Sequence, residues 1–411
     1  MSGVVPHDPG LPWHQAEAAR RRAYQRSSSP YPVLSELEEA SRLWDAARAS
    51  HGRPATAWPW LVRARIFRSL AEGDGASARV WWHRQLAAAA EAVRLEPDEA
   101  PGWAAVADAA RSLVLVQAAG WAVGNCRRLP GAGRDELETV LSTACWLAPG
   151  QTGLLAEESA EIFSLDSADR HGYQALALFY HGDPRGALRE LTAATGPAPL
   201  LWQLIFRARL LALAGDEGAA AAVSRALTAL GEVSPATDPR VLLDQAGLQL
   251  YTGNVPAARE LTARLRALGP DTSTTPAQAA AVELLIALMT GDETAADRSG
   301  AQVLAGLYPE LAHDLRVDLD WLATRHQPDT VLADPVPADP LRAGLTRRWR
   351  DAIDRAEARR PPPLRAGAAA ALAEVGAVLA GAAGPDPAAG ALGALHALIT
   401  DGHRGLPGAG R

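Results

Sequence analysis

Trp81-Trp82-His83-Arg84 brings two indoles, an imidazole and a guanidinium into four consecutive residues. Such groups can stack on, and hydrogen-bond to, a peptide or a small ligand. Helical neighbours diverge by about 100°, so Trp81 and Trp82 cannot both face one core. Trp58 and Trp60 flank a proline. Trp60, Trp81, Trp82, His83 and Arg84 are therefore the candidate binding residues, with Trp82, Trp60 and either Arg84 or His83 foremost. Nine of the twelve tryptophans fall in the first 146 residues. A second reading makes them large fillers for long, irregular helices, which suits Trp103 and Trp146.

Between Arg342 and Arg365, eight arginines stand against Asp351, Asp354 and Glu357, a local excess of +5 on a chain whose net charge is −7. Arg347, Arg348, Arg350 and Arg355 are candidates for docking into an acidic groove of this protein or of a partner. Anionic lipid or nucleic acid are the other acceptors. The i,i+4 pairs Arg347–Asp351 and Arg350–Asp354 would equally support a solvated helix.

Other reactive residues point less clearly to chemistry. His171 and His181 stand ten residues apart, too far for metal ligands on adjacent helical turns. His181, beside Gly182, suits a helix C-terminus. Glu157, Glu158 and Glu161 read as a solvated face. Cys126 and Cys145 belong to no Cys-x-x-Cys pair and read as buried, reduced thiols of a cytoplasmic protein. Hydrolase, metalloprotease and phosphate-loop motifs are absent, and Gly131-Ala-Gly133 has no strand before it. The sequence has no lysine, all 40 basic residues being arginine, which removes Schiff-base and lysine-base chemistry. What remains is the planar guanidinium fork. No cofactor or metal is expected. The acidic balance argues against a general nucleic-acid binder, and no uninterrupted stretch is long and apolar enough to span a bilayer.

The elements that must position these residues show a period. Gly182-Asp183, Gly215-Asp216, Gly253-Asn254 and Gly291-Asp292 recur at steps of 33, 38 and 38 residues. Each follows an apolar helical run and is followed, five residues after the glycine, by Ala187, Ala220, Ala258 or Ala296. Around Gly253, Asp238-Pro239 starts a helix, Leu243, Ala246 and Leu250 stripe it, and Gly253 closes it. Asn254 then caps a second helix striped by Ala258, Leu261, Leu265 and Leu268, which Pro270 stops. Neither helix can bury its stripe alone, so the pairs must stack. The Gly291 unit is the weakest, because Gly300 falls inside its second helix.

Small residues at these positions, a Gly-Asp/Asn turn and a closing proline (Ala175, Gly182, Ala187, Ala194, Pro199) resemble the tetratricopeptide repeat family. The resemblance covers roughly 168–310, and more loosely 57–150 through Ala92-x-x-Leu95-x-Pro97, Trp103 and Ala144-x-x-Leu147-x-Pro149. It implies an all-α, right-handed superhelix of stacked hairpins, an α-solenoid. It also implies a protein or peptide partner, and brings no catalytic residue. The expected order is a flexible Arg/Ser/Pro-rich arm at 1–33 with a short helix near 11–26, then repeats over 34–330 opened by a Ser35/Glu38 capping box. A Pro-rich linker at 331–340 follows, and then a basic helix with Ala/Gly-rich helices at 341–411. The leading expectation is a cytoplasmic interaction scaffold without catalysis. The alternatives are a regulator responsive to a peptide or small ligand, with a docking C-terminal helix, and a helical enzyme assembled from scattered residues.

Overall fold

The computed structural model describes residues 12–26, 32–129, 132–149, 167–193, 201–233, 238–325, 340–381 and 387–405. Nineteen α-helices and no strand occur among them. Residues 1–11, 27–31, 150–166 and 326–339 lie outside the described residues, and with them the Glu157–Glu161 cluster and most of the expected linker.

The chain divides into two compact units, one made of Met1–Val140 with Leu364–Arg411, the other of Leu141–Pro363. Residues 341–411, expected as one C-terminal module, are thus shared between the two.

In the middle unit, helices pair as α8 (Ser167–Tyr180) with α9 (Pro184–Ala193) and α10 (Leu201–Leu213) with α11 (Ala219–Val233). Next come α12 (Pro239–Tyr251) with α13 (Val255–Ala267) and α14 (Pro276–Thr290) with α15 (Glu293–Ala305). The recurring dipeptide explains the pairing. Gly182, Gly215, Gly253 and Gly291 have φ of 81°, 67°, 77° and 73°, left-handed conformations that glycine adopts without a Cβ penalty. The next residue donates its N–H back across the helix end: Asp183 to Leu178, Asp216 to Leu211, Asn254 to Gln249 and Asp292 to Ala287, at 2.9–3.0 Å. This closes a Schellman turn. The same residue then caps the following helix, its side chain accepting from Gly186, Gly218, Ala257 and Ala295 respectively. Two residues end one helix and start the next.

Ala187, Ala258 and Ala296 are fully buried at the close approach, as expected, but Ala220 is exposed. Asp216 caps only two residues ahead, α11 starts late at Ala219, and Ala222 takes the buried seat instead. Gly300 is no defect either. A Cβ there would collide with the Trp349 ring, so the glycine is a notch for helix α17 (Pro340–Ala358). Leu345, Trp349 and Ile353 of α17 are buried where it packs on α14, α15 and α16 (Pro309–Arg325).

The other unit holds long helices. Helix α1 (Pro12–Gln25) packs on α2 (Leu34–His51) and α3 (Ala57–Gly73), burying Ala16, Ala19 and Ala23. The described part of the expected arm is therefore part of a core. The Ser35/Glu38 capping box does not form: α2 begins at Leu34, placing Ser35 inside the first turn, and Val33 occupies the cap position without a side-chain acceptor. Helix α3 pairs with α4 (Ala78–Leu95), and α5 (Ala100–Ser112) with α6 (Val116–Arg128), while α7 (Arg134–Leu147) runs across the division between the units. Helix α18 (Ala368–Gly381) packs on α6, and α19 (Pro387–Gly405) on α4. Glu374 of α18 accepts from the Gln117 and Ala118 N–H groups at 2.9 Å. It caps α6, whose own cap position, Leu115, has no acceptor side chain.

Candidate functional site

The first helices of three successive hairpins and α16 enclose a cavity of about 190 Å³. Helical spacing explains how each contributes. Ile205 and Arg209 are one turn apart on α10, and Leu243, Asp244, Gly247 and Tyr251 share a face of α12. Gln278, Ala281, Val282 and Leu285 do so on α14, and Leu311, Asp314, Leu315 and Asp318 on α16, with Glu310 and Trp321 beside them.

Arg209 is the centre of the polar side. Its Nε donates to Tyr251 Oη at 3.0 Å, its Nη1 pairs with Asp314 at 3.2 Å, and its Nη2 with Asp318 at 3.2 Å. Phe179 covers its guanidinium, 5.1 Å from the ring centroid. Burial alone would weaken the charge on Arg209, but Asp314 and Asp318 outweigh it and hold the group firmly protonated. Tyr251 donates to Asp318 at 2.6 Å, and Tyr180 to Glu310 at 2.7 Å. The two aspartates differ. Burial raises Asp318 above the ordinary carboxylate range despite Arg209, whereas the attraction of Arg209 overcomes burial at Asp314 and lowers it.

Asp244 is a third case. It keeps part of its surface open to the cavity, yet protein surrounds it, and this burial pushes its carboxyl up to about 7. Repulsion from Asp238 adds to the rise, and Arg240 and Arg209 only partly oppose it. Its carboxylate makes no hydrogen bond or ion pair among the described residues.

The residues expected from sequence fall elsewhere. Trp60 is buried against Trp44 at 5.3 Å, which in turn lies 5.4 Å from Trp13. Its role is to fill the core. Trp81 is half-buried, stacking on Phe67 at 6.0 Å and donating to Asp74 at 3.3 Å, with the exposed Arg84 guanidinium 4.8 Å above its ring. Trp82 and His83 are half-buried on the same helix, α4. Arg63 sits between Trp44 and Phe67, at 4.6 and 4.4 Å from their centroids, so this region alternates rings and guanidinium groups.

On α17, Arg348 pairs with Glu293 and Asp297 of α15, and Arg350 with Asp320 of α16. Arg347 reaches back to the Ala343 carbonyl, and Arg355 is exposed. Arg350 also pairs with Asp354, as its i,i+4 spacing allows. His171 meets Glu190 at 2.8 Å and His181 is exposed. Cys126 is buried, Cys145 half-buried, and no disulfide joins them. Sequence reasoning placed Leu243 and Leu250 in the stripe of α12 but singled out no residue of the cavity as a site; the available signal was charge inside otherwise apolar helical stripes, at Arg209, Asp244 and Asp318.

Among the described residues no three metal-ligating side chains are grouped to hold an ion, and no helix is long and apolar enough to cross a membrane.

The repeated turns and the cavity between first helices define an all-α protein built of repeated helical hairpins. No family model matches the chain, nor does any curated protein. Among solved structures it is similar to PilW, a type IV pilus biogenesis factor, at 19% identity over 73% of this chain and 98% of that one, with a TM-score of 0.21. It is also similar to the TPR domain of P58(IPK), at 13% identity over 95% of this chain and 100% of that one, with a TM-score of 0.20. At these scores neither likeness carries the assignment, which rests on the turns and hairpins themselves.

Proposed function

We propose that this protein is a cytoplasmic interaction scaffold that holds a segment of a partner protein on its repeat hairpins and performs no chemistry of its own. One observation carries this reading. Three consecutive hairpins turn their first helices towards one cavity, whose walls are mostly apolar and whose polar groups converge from four helices. That combination is how a concave protein surface accepts a side chain of a bound segment. Two cysteines without a disulfide between them fit a reducing compartment. A right-handed winding of the hairpins would extend the surface along the array.

The test is affinity capture from a lysate of the source organism, read by mass spectrometry, with wild type, Gly247→Leu and Trp82→Ala compared. A partner held by wild type and lost with Gly247→Leu supports the reading. A partner lost only with Trp82→Ala would move the binding face to the Trp81–Arg84 surface. If no protein is captured by any of the three, the scaffold idea fails.

A second reading, a regulator, draws on α17. Its Trp349 seats in the Gly300 notch while Arg348 and Arg350 reach acidic residues of α15 and α16. A helix docked by one aromatic anchor and exposed ion pairs can be released. Partner binding should then change the rate of tryptic cleavage between Arg342 and Arg365. An unchanged rate would remove this second reading.

A further inference from the structure

We infer that the cavity between α10, α12, α14 and α16 is a cation site, which takes a primary ammonium or guanidinium group carried on an apolar stem. The inference deepens the scaffold reading and rests on it for one source of the ligand, a basic side chain of the bound segment. The other source with the same chemistry is a free amine.

The polar lining decides the sign of the ligand. Asp244, Glu310, Asp314 and Asp318 face the cavity, and among the described residues Arg209 is the one basic residue of its lining. All three nitrogens of Arg209 are already engaged by Tyr251, Asp314 and Asp318. An anion would therefore meet three or four carboxylates and a guanidinium whose donors are taken. A cation meets the reverse. Asp314 and Asp318 are tied to Arg209, and Glu310 accepts from Tyr180. Asp244 feels the charges of Asp238, which caps its helix, of Arg240 on the same helix and of Arg209 from α10, but no side chain among the described residues pairs with it. It is the carboxylate with room for an incoming donor.

Space beside Asp244 has a simple origin. Gly247 lies one turn further along the same face, and a Cβ there would meet nothing within 4 Å. Glycine inside a helix costs about 1 kcal/mol relative to alanine, and this one leaves an opening rather than a close contact. The remaining walls, Val282, Leu285, Leu311, Leu315 and Trp321, are apolar. They would cover a stem of several methylenes or a flat guanidinium. A divalent metal is a poorer fit, since the acidic residues are not grouped as a ligand cage.

The test uses the full chain and isothermal titration. Probes are cadaverine and agmatine, n-pentanol as a neutral apolar control, and two acetylated octapeptides differing only in a central lysine or norleucine. Wild type should bind the two amines at least tenfold more tightly than pentanol. Asp244→Asn, which keeps the shape, should lose most of that preference, and Gly247→Leu should abolish binding while the circular dichroism spectrum stays helical. Equal affinity for pentanol, or amine binding untouched by Asp244→Asn, would overturn the cation site.

If the lysine peptide binds and competes with cadaverine, the source is a side chain. If the amines bind and neither peptide does, the cation site stands and the source is a free amine. If partner capture is lost with Gly247→Leu while neither amine binds wild type, the cation inference fails and the scaffold reading survives.

Discussion

Two buried aspartates show how neighbours decide the worth of a charge. At Asp108, burial would raise the carboxyl, but Arg68, Arg111 and a hydrogen bond from Gln85 at 2.9 Å outweigh it, and its pKa is lowered. A depressed acid stabilises the fold above its unfolded pKa, and that contribution is lost as pH falls through the folded value. Asp108→Ala should cost about 2–3 kcal/mol at neutral pH, with a smaller penalty in acid, measured by urea unfolding at pH 7 and pH 3. Asp244 has the opposite sign. Its raised value of about 7 means that folding is favoured with the proton on, and this contribution fades as pH climbs from the ordinary aspartate value through 7. Asp244→Asn should therefore stabilise the protein above pH 7, on the order of 2 kcal/mol, with little effect near pH 4. If the variant is less stable at pH 8 than wild type, the ionised Asp244 is held by a stabilising partner and its burial does not set its charge.

Elements show where sequence reasoning succeeds and where it stops. The hairpin turns were legible because one dipeptide performs two local tasks, closing a helix at the glycine and capping the next with Asp or Asn, and both depend on residue type alone. Ala220 was misplaced because a cap reaching two residues instead of three shifts the helix start, which spacing does not reveal. Gly300 looked like a weakness since its purpose, a seat for Trp349, belongs to a helix some fifty residues later. Trp60 could be recognised as important by type, but whether an indole faces core or solvent depends on its neighbours. The cavity was illegible because its residues come from four helices, each adding one or two polar groups to a stripe that reads as ordinary core.

Docking of α17 can be predicted on the same scale. Its ion pairs with α15 and α16 are exposed and individually weak, whereas Trp349 and Ile353 are buried. Raising the salt to about 1 M, where the screening length is roughly 3 Å, should leave tryptic cleavage of 342–360 slow. Trp349→Ala should speed it sharply, having removed about 3–5 kcal/mol of packing. Release by salt alone would show that charge, not the indole, holds the helix. Separately, Glu374→Ala should destabilise the unit containing α6 by about 1 kcal/mol, because two first-turn amides lose their acceptor. Faster amide exchange at Gln117 and Ala118 would report it, and unchanged exchange there would mean that water substitutes fully.

For the whole molecule, two separately packed units predict two steps on heating rather than one cooperative transition. Calorimetry on Glu374→Ala should lower only one of them, and a uniform shift of both would show that the units melt together. The C-terminal helices α18 and α19 pack on α6 and α4, so the unit that contains the first residues of this sequence is completed by its last. During synthesis, at about 5–20 residues per second, the middle unit has all its hairpins while the earlier unit still lacks two helices and the carboxylate that caps α6. Folding cannot simply follow the order of translation. For roughly 2–10 s at that rate the nascent chain carries a finished centre behind an unfinished beginning, with apolar surface on α4 and α6 exposed. Chaperone capture of ribosome-bound chains should be strongest in that window and fall once residues 364–405 have left the exit tunnel.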